Sequence, residues 1–390
     1  MTKEGRKVDI TDRLMKLIAA EICGKAPVGA DCDFTDEELS ELYGLAKKHD
    51  LAHLVGDALI KSGLAVNTEI GAKFRKRVML SVYRYEQLNY ELNRLYDVLE
   101  EAKIPFVPLK GSVIRDLYPE PWMRTSCDID LLVHDAGKTA ELLADKLSYK
   151  YEDKNSHDIS MFAESGMHIE LHYDLIEESL NEAASNLLAG VWDRSTAHDG
   201  CEYRLDMSDG MFYFYHIAHM AKHLENGGCG IRPFIDIWVL NHRTVFDRDK
   251  RGELLAEGGL LNFSRQAELL SEVWLGNAVH TDITKKIENY VIRGGMYGTN
   301  ENRIVVQQQK RGGKIGYALS RIFLRYDEIK FHYPILEKYR WLTPIMEVRR
   351  WCKLIFCGHL KRVTHELGYS NSVSKNEAEA AREFLKDIGL

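Results

Sequence analysis

The sequence predicts an α+β fold, in which a small mixed sheet with helices is flanked by N-terminal and C-terminal helical regions. Three observations support this class. Apolar residues recur at helical spacing up to about residue 103, short apolar or alternating segments follow up to residue 173, and helical spacing returns beyond residue 205. We therefore expect an N-terminal helical cap over residues 1–75, a mixed core over residues 76–200 and a C-terminal helical domain over residues 201–390.

The composition is that of an ordinary globular chain, with 390 residues, 45% hydrophobic, 28% charged and a net charge of −7. Collagen-like, low-complexity and wholly disordered chains are excluded. The acidic balance argues against a nucleic-acid partner, because phosphate binding needs concentrated Lys and Arg. Seven scattered cysteines without a CxxC pair fit neither a disulfide framework nor a structural zinc site.

The expected cell compartment follows from what the chain lacks. The charged first residues do not contain the apolar core of a secretion signal. No later segment approaches the ~18 consecutive apolar residues of a membrane span. We therefore expect a cytoplasmic protein without a membrane span.

The N-terminal region has the pattern of amphipathic helices. Thr35 and Glu38 have the spacing of a capping box, ahead of the apolar residue Leu39. Residues 73–103 form a longer helix in this prediction. Its apolar face is marked by leucines four, three and four positions apart: Leu88, Leu92, Leu95 and Leu99.

The central region changes to strand patterns. Residues 104–109 are apolar but interrupted by two prolines, which predicts a strand at the side or end of a sheet. A second strand is predicted over residues 127–133, followed by a helix over residues 135–147. Three short strands follow at residues 149–152, 159–162 and 168–173. Beyond them, helices are predicted at residues 211–224, 235–242, 260–275 and 375–388.

Acidic residues on two of these strands are candidate metal ligands. Asp128 and Asp130 are two apart on a strand, so both carboxylates face the same side and can share a divalent cation. Glu170 lies on a later strand and shares a face with His168 and His172. A solvated strand face for the aspartates, and a half-exposed edge strand for Glu170, are the alternatives.

The first strand ends at Lys110, Gly111 and Ser112 and leads into a helix that we expect to reach about Tyr118. Glycine lets the backbone approach a phosphate, and a helix N-terminus offers unpaired N–H groups and the positive end of a dipole. A simple turn is the alternative.

Together these elements resemble the nucleotidyltransferase superfamily that includes DNA polymerase beta and the aminoglycoside nucleotidyltransferases. The closer resemblance is to a bacterial group of uncharacterised nucleotidyltransferases. It covers about residues 100–175, and it implies a small mixed nucleotidyltransferase sheet. The stretches that support it are residues 106–112, 117–121, Arg124, residues 128–133 and residues 168–172.

The resemblance implies a Mg²⁺-dependent enzyme that moves a nucleoside monophosphate from an NTP, with ATP as the expected donor, to an unidentified acceptor and releases pyrophosphate. Asp128 and Asp130 would hold Mg²⁺. Glu170 would bind a second metal or accept the proton of the acceptor hydroxyl. Gly111 and Ser112 would hold the triphosphate.

Basic residues near this loop are candidate phosphate ligands. Lys110 and Arg124 would bind the phosphates or, as an equal alternative, form salt bridges to the carboxylates.

The chain departs from the superfamily pattern where a helix and a Pro-rich turn separate Gly111 from Asp128. It departs again at Arg115, where Asp follows in place of the common Gly.

Histidines on a later predicted helix give a rival signal. His216, His219 and His223 share one face and Asp236 follows, as in a His/Asp metal phosphohydrolase. Packing is the commoner role for such histidines. A third alternative is that they line an acceptor pocket, together with His172.

Two further features have a less direct interpretation. His157 and Asp158 lie at a strand edge without flanking ligands, so we do not expect a metal there.

Residues 338–362 interleave basic residues with Trp341 and Trp351. This segment would bind RNA or a membrane surface, or else pack its aromatic side on the protein with its charges in solvent.

The other class of function is a catalytically inactive nucleotide-binding or regulatory protein on the same fold, such as an antitoxin-like partner. All three carboxylates are present, which favours the enzyme. The sequence leaves the acceptor and the oligomeric state open.

Overall fold

The computed structural model describes residues 9–25, 34–64, 67–155, 157–175, 181–296, 298–326, 329–330, 333–356 and 375–390. Its described part is mainly helical, with one five-stranded and one two-stranded sheet. The predicted α+β class with flanking helices is confirmed.

The predicted helices and strands occur in the predicted order, together with further elements that the sequence analysis did not name. The N-terminal helices are α1 (Ile10–Cys23), α2 (Asp36–Lys48), α3 (Ala52–Lys61) and α4 (Glu69–Glu101). The central elements are β1 (Phe106–Pro108), α5 (Gly111–Ile114), β2 (Asp128–Val133), α6 (Ala136–Leu147), β3 (Lys150–Lys154), β4 (Asp158–Phe162) and β5 (His168–His172). They are followed by α7 (Glu182–Ala189), β6 (Ser195–Ala197) and β7 (Leu205–Met207).

The remaining described elements are helices and short turns. They are α8 (Asp209–Glu225), α9 (Arg232–His242), α10 (Arg248–Glu257), α11 (Leu261–Trp274), α12 (Asp282–Gly294), α13 (Asn300–Lys310), α14 (Lys314–Ile322), α15 (Ile335–Lys338), α16 (Thr343–Phe356) and α17 (Lys375–Ile388).

Local sequence signals set the helix limits in the N-terminal region. Thr35 caps α2 and Glu38 caps the Thr35 backbone in return, so the predicted capping box is confirmed. The helix α4 has 33 residues and begins at its cap, Thr68. The predicted apolar face of this long helix is buried: Leu88, Leu92, Leu95 and Leu99.

The five-stranded sheet has the order β1-β2-β5-β4-β3, in which β2 and β5 are parallel and the other pairs antiparallel. The sheet is therefore mixed, as expected. The strand β1 lies at its end, as its prolines predicted, because proline cannot donate a ladder hydrogen bond. The helix after Ser112 is shorter than expected: α5 ends at Ile114, and a 3-10 turn over Arg115–Leu117 follows.

The two faces of the sheet pack against different helices. Ile129 and Leu131 on β2 belong to a core shared with α4 and α6. Leu132, on the other face, belongs to a larger core that joins the N-terminal helices to α8, α9 and α11. The helical regions before and after the sheet therefore pack into one hydrophobic core. The domain boundaries at residues 75 and 200 stay predictions.

The basic aromatic segment is partly described, since residues 357–362 lie outside the described ranges. The Trp351 indole donates a hydrogen bond to the Ile322 carbonyl oxygen at 2.9 Å, so this aromatic residue packs on the neighbouring helix. Trp341 is 70% exposed. In the described part of the chain, no helix combines the length and the apolar character needed to cross a membrane.

A buried ion pair joins the sheet layer to the C-terminal helices. Asp236 on α9 is 1% exposed. Arg124, in the loop before β2, donates to it from Nε at 2.9 Å and from Nη2 at 3.0 Å. The Tyr118 hydroxyl also donates to Asp236, at 2.6 Å. Burial would raise the pKa of Asp236, but the Arg124 charge holds it below its usual value.

We expect Asp236→Ala to lower the free energy of unfolding by about 3–5 kcal/mol, because it leaves the buried Arg124 without its partner. Asp206→Ala is the matched control, since Asp206 pairs with His198 and Arg204 but is 40% exposed. It should cost no more than about 1 kcal/mol. Urea denaturation measures both, and equal losses would contradict the assignment.

Candidate active site

The predicted site residues meet in one cleft, between the Asp128 face of the sheet and the helices α8 and α9. The cleft has a volume of about 350 Å³. The predicted residues that line it are Lys110, Gly111, Arg124, Asp128, Asp130, Glu170, His172, His216, His219 and His223. Ser112 is buried in the same loop.

The two strands that carry the carboxylates are neighbours. They pair directly: β2 and β5 run parallel, with Asp130 directly opposite Glu170. Ile129, between the two aspartates, is fully buried on the opposite face. Because side chains alternate along a strand, Asp128, Asp130 and Glu170 therefore project from one face. The ligand atoms of Asp130, Glu170 and His172 lie within 4.8 Å of one another and could hold a metal ion.

Asp130 is the most buried of the three carboxylates, at 3% exposed. Lys110 Nζ donates to its Oδ1 at 3.1 Å, and His172 Nε2 donates to the same oxygen at 2.9 Å. Burial would raise the pKa of Asp130, but the charge of Lys110 and the hydrogen bond from His172 hold it well below its usual value. Asp130 is therefore ionised and faces two positive groups.

Asp128 has the opposite electrostatic setting. Burial and then the charge of Asp130 raise the pKa of its carboxyl group, and the charge of Lys110 only partly opposes them. A further cation next to Asp128 would relieve this repulsion.

The loop after β1 has an unusual backbone. Lys110 has a φ of 46° and a ψ of −120°, a conformation that costs energy in a non-glycine residue. It directs the lysine amine to Asp130, while the Leu109 N–H donates to the Asp130 carbonyl oxygen at 3.1 Å. Burial would lower the pKa of Lys110, but Asp130 raises it above its usual value. The lysine therefore stays charged.

The next two residues, Gly111 and Ser112, begin α5 and are closely packed. A Cβ at Gly111 would lie 3.0 Å from Ser126 Oγ, so a larger residue does not fit there without a shift. The Ser112 hydroxyl is buried and, among the described residues, has no hydrogen-bond partner. A buried hydroxyl without a partner is costly, so it is a candidate donor to a bound phosphate.

Two arginines near this loop are bound to other protein groups. Arg115 is 3% exposed and donates from Nε to the Gly111 carbonyl oxygen at 2.7 Å. Arg124 lies at the cleft but is bound to Asp236, not to Asp128, Asp130 or Glu170. Arg124 therefore forms a salt bridge, but with Asp236 instead of the expected carboxylates. Its role as a phosphate ligand stays a prediction.

The histidines of α8 do not form a metal cluster with Asp236 in the described part of the chain. His216 Nε2 donates to the Pro233 carbonyl oxygen at 3.1 Å. His219 and His223 share a hydrogen bond between their Nε2 atoms at 2.9 Å. Asp236 receives Arg124 and Tyr118 instead. This geometry gives no support to the His/Asp phosphohydrolase, whereas the position of the histidines is compatible with an acceptor pocket.

Sequence reasoning missed one group at the cleft and set a second one aside. The first is the ion pair of Arg232 with Asp50, which come from α9 and from the turn after α2. The second is His157 with Asp158, whose ligand atoms lie within 4.8 Å of that of His172. The antiparallel pairing of β4 with β5, predicted only as a meander, is the signal that would have placed Asp158 opposite His172.

Comparison with known proteins gives one match. A family model described as "Uncharacterised nucleotidyltransferase" matches residues 35–276, which include the sheet, the loop and the cleft helices. No curated protein and no solved structure matches the chain.

Stability should depend on the protonation of His172. Burial would lower the pKa of His172, but hydrogen bonds to Asp130 and Glu170 raise it to about 9, above the usual value of about 6.5. The resulting stabilisation is complete below pH 6.5 and is lost as the pH rises through 9. We expect His172→Gln to lower the free energy of unfolding most near pH 6.

Between pH 6 and pH 10 the difference between the wild-type protein and this variant should shrink by on the order of 3 kcal/mol. Urea denaturation across that range measures it. A difference that stays constant with pH would show that His172 contributes packing alone.

Proposed function

The chain belongs to the family of uncharacterised nucleotidyltransferases, and on that premise we propose that it transfers a nucleoside monophosphate from an NTP to an acceptor in a Mg²⁺-dependent reaction. ATP is the first candidate donor, and pyrophosphate is the second product. The observation that supports this most directly is the position of Asp128, Asp130 and Glu170 on one face of the sheet, at a cleft that also contains the Gly111 loop.

The donor set fits magnesium. Mg²⁺ prefers oxygen ligands and binds through one or two carboxylates together with substrate phosphates. Asp128 and Asp130 would hold the ion, with Glu170 as the third carboxylate. When bound, Mg²⁺ neutralises charge on the phosphates and activates the attacking oxygen.

Lys110 and His172 already place positive charge on Asp130. A metal ion competes with them for this carboxylate, so we propose that Mg²⁺ binds weakly until the phosphates of an NTP contribute further ligands. Lys110 belongs to the loop that would hold the triphosphate, so its amine is then close enough to bind a phosphate oxygen. The strained backbone of Lys110 maintains the amine in the cleft before substrate arrives.

The acceptor side of the reaction is assigned to the opposite part of the cleft. Glu170 would accept the proton of the acceptor hydroxyl, or bind a second metal ion. His172, His216, His219 and His223 line the same cleft and form the proposed acceptor pocket. Burial lowers the pKa of His216, so this histidine is neutral and its ring can donate and accept hydrogen bonds.

A catalytically inactive nucleotide-binding protein is the second candidate. The specific observation behind it is that Asp130 already has two cationic partners without a metal ion. Such a protein would bind an NTP with Mg²⁺ and release no pyrophosphate, whichever acceptor is supplied.

We expect Asp128→Asn to reduce pyrophosphate release by at least about 10²-fold, since one preorganised charge in an active site contributes that much or more. The same variant should lose the Mg²⁺-dependent rise in melting temperature that an NTP produces. Asp206→Asn, at a half-exposed carboxylate on β7, is the control and should retain both. A cell extract screened with labelled ATP, CTP, GTP and UTP supplies candidate acceptors. Unchanged Mg²⁺-dependent stabilisation in Asp128→Asn would refute the proposal.

Ser112→Ala tests the triphosphate loop separately. Its hydroxyl has no described protein partner, so the variant should be as stable as the wild-type protein or more stable. Its affinity for an NTP should fall about 10–100-fold, as expected for a lost hydrogen bond to a charged group.

Ser126→Ala is the matched control for Ser112→Ala. The Ser126 hydroxyl donates to the Asp128 carbonyl oxygen at 3.1 Å, so this variant should lose about 1 kcal/mol of stability. Unfolding curves and nucleotide titrations distinguish the two. If Ser112→Ala behaved as Ser126→Ala does and bound the NTP normally, the hydroxyl would have a structural role only.

A further inference from the structure

A second group of ligand side chains lies next to the carboxylates, where β4 pairs with β5. Asp158, the first residue of β4, is directly opposite His172, the last residue of β5. His157 Nε2 is 3.1 Å from Asp158 Oδ2. One ligand atom from each of His157, Asp158 and His172 lies within 4.8 Å of the others. The two imidazole rings are stacked, with their centres 5.8 Å apart.

The spacing suits a small metal ion. In a tetrahedral site with bonds of about 2.0–2.1 Å, the ligand atoms are separated by roughly 3.4 Å. His157 Nε2 and Asp158 Oδ2 are already 3.1 Å apart, and all three ligand atoms lie within 4.8 Å of one another. Side-chain movements would therefore bring the three atoms to the separation that a cation requires.

The surroundings have the features of a metal site. Asp158 is 4% exposed, and Asn155 Nδ2 donates to its Oδ1 at 2.9 Å, which orients the carboxylate as an outer-shell partner does. His157 is half-buried and lines the cleft, so an ion can enter from solvent. His172 must lose one proton to act as a ligand, after which one ring nitrogen binds the ion and the N–H of the other can stay on Asp130.

The chemistry of the donors differs from that of the carboxylate face. Two imidazoles and one carboxylate are ligands for Zn²⁺ and similar transition metals, whereas Mg²⁺ is held by oxygen. We propose that His157, Asp158 and His172 form a binding site for a divalent transition metal of the Zn²⁺ class. This ligand set shares no residue with the proposed Mg²⁺ ligands Asp128, Asp130 and Glu170, although His172 contacts Asp130 and Glu170, and it does not depend on the nucleotidyl transfer proposed above.

His172 also belongs to the group with Asp130 and Glu170, so the experiment must distinguish the two groups. The probes are Zn²⁺ and Co²⁺, titrated without nucleotide into the full-length protein. The wild-type protein should bind about one equivalent of Zn²⁺, and Co²⁺ should give the visible absorption of a tetrahedral site. His157→Gln and Asp158→Asn should each weaken binding by at least about tenfold, since even the loss of an outer-shell partner has that effect.

Two control variants should bind the ion as the wild-type protein does. Glu170→Gln removes a ligand that belongs only to the group of Asp130, Glu170 and His172. His198→Gln removes a histidine that also contacts a carboxylate, Asp206, but belongs to neither group. Loss of Zn²⁺ binding in Glu170→Gln with normal binding in His157→Gln would overturn the proposal, as would equal affinity in all four variants.

A crystal of the wild-type protein grown with Zn²⁺ provides a test that does not depend on the folding of any variant. The anomalous signal of zinc should lie about 2.0–2.2 Å from ligand atoms of His157, Asp158 and His172. A zinc peak bound by Asp128 and Glu170 without His157, or no peak in the cleft, would refute the assignment.

Discussion

The contact of the buried Asp130 carboxylate with Lys110 and His172 is the interaction on which the organisation of the cleft depends. A carboxylate that is 3% exposed is costly to bury without partners, and these two residues supply them from the loop after β1 and from β5. Because the partners belong to separate elements, the contact also holds the loop against the sheet. Among the described residues Asp128 has no such pair of cationic partners, and the repulsion from Asp130 favours an additional cation.

A second layer of contacts maintains the loop that would receive a phosphate. Arg115 binds the Gly111 carbonyl oxygen, and Arg124 binds Asp236 on α9. Arg115 thus positions the loop, and both arginines are already bound to protein groups. Lys110, which lines the cleft, is therefore the loop side chain proposed to contact a substrate phosphate, with the buried Ser112 hydroxyl as a further candidate donor.

Two kinds of donor lie side by side in this cleft. Oxygen ligands from Asp128, Asp130 and Glu170 suit Mg²⁺, while the imidazoles of His157 and His172 suit a transition metal. His172 touches the first group and belongs to the second. The proposed Mg²⁺ and transition-metal sites are therefore in contact through His172, which donates to Asp130.

The sequence by itself determined the features that depend on near neighbours along the chain. The capping box at Thr35, the apolar face of α4 and the common face of Asp128 and Asp130 follow from fixed periodicities of 3.6 and 2 residues. The family resemblance added the Gly111 loop and Glu170 to the two aspartates as candidate site residues. Only the tertiary structure decided the contacts that cross the chain. Arg124 meets Asp236 across 112 positions, and Asp158 meets His172 through strand register, because packing and backbone pairing place residues together with no trace in local spacing.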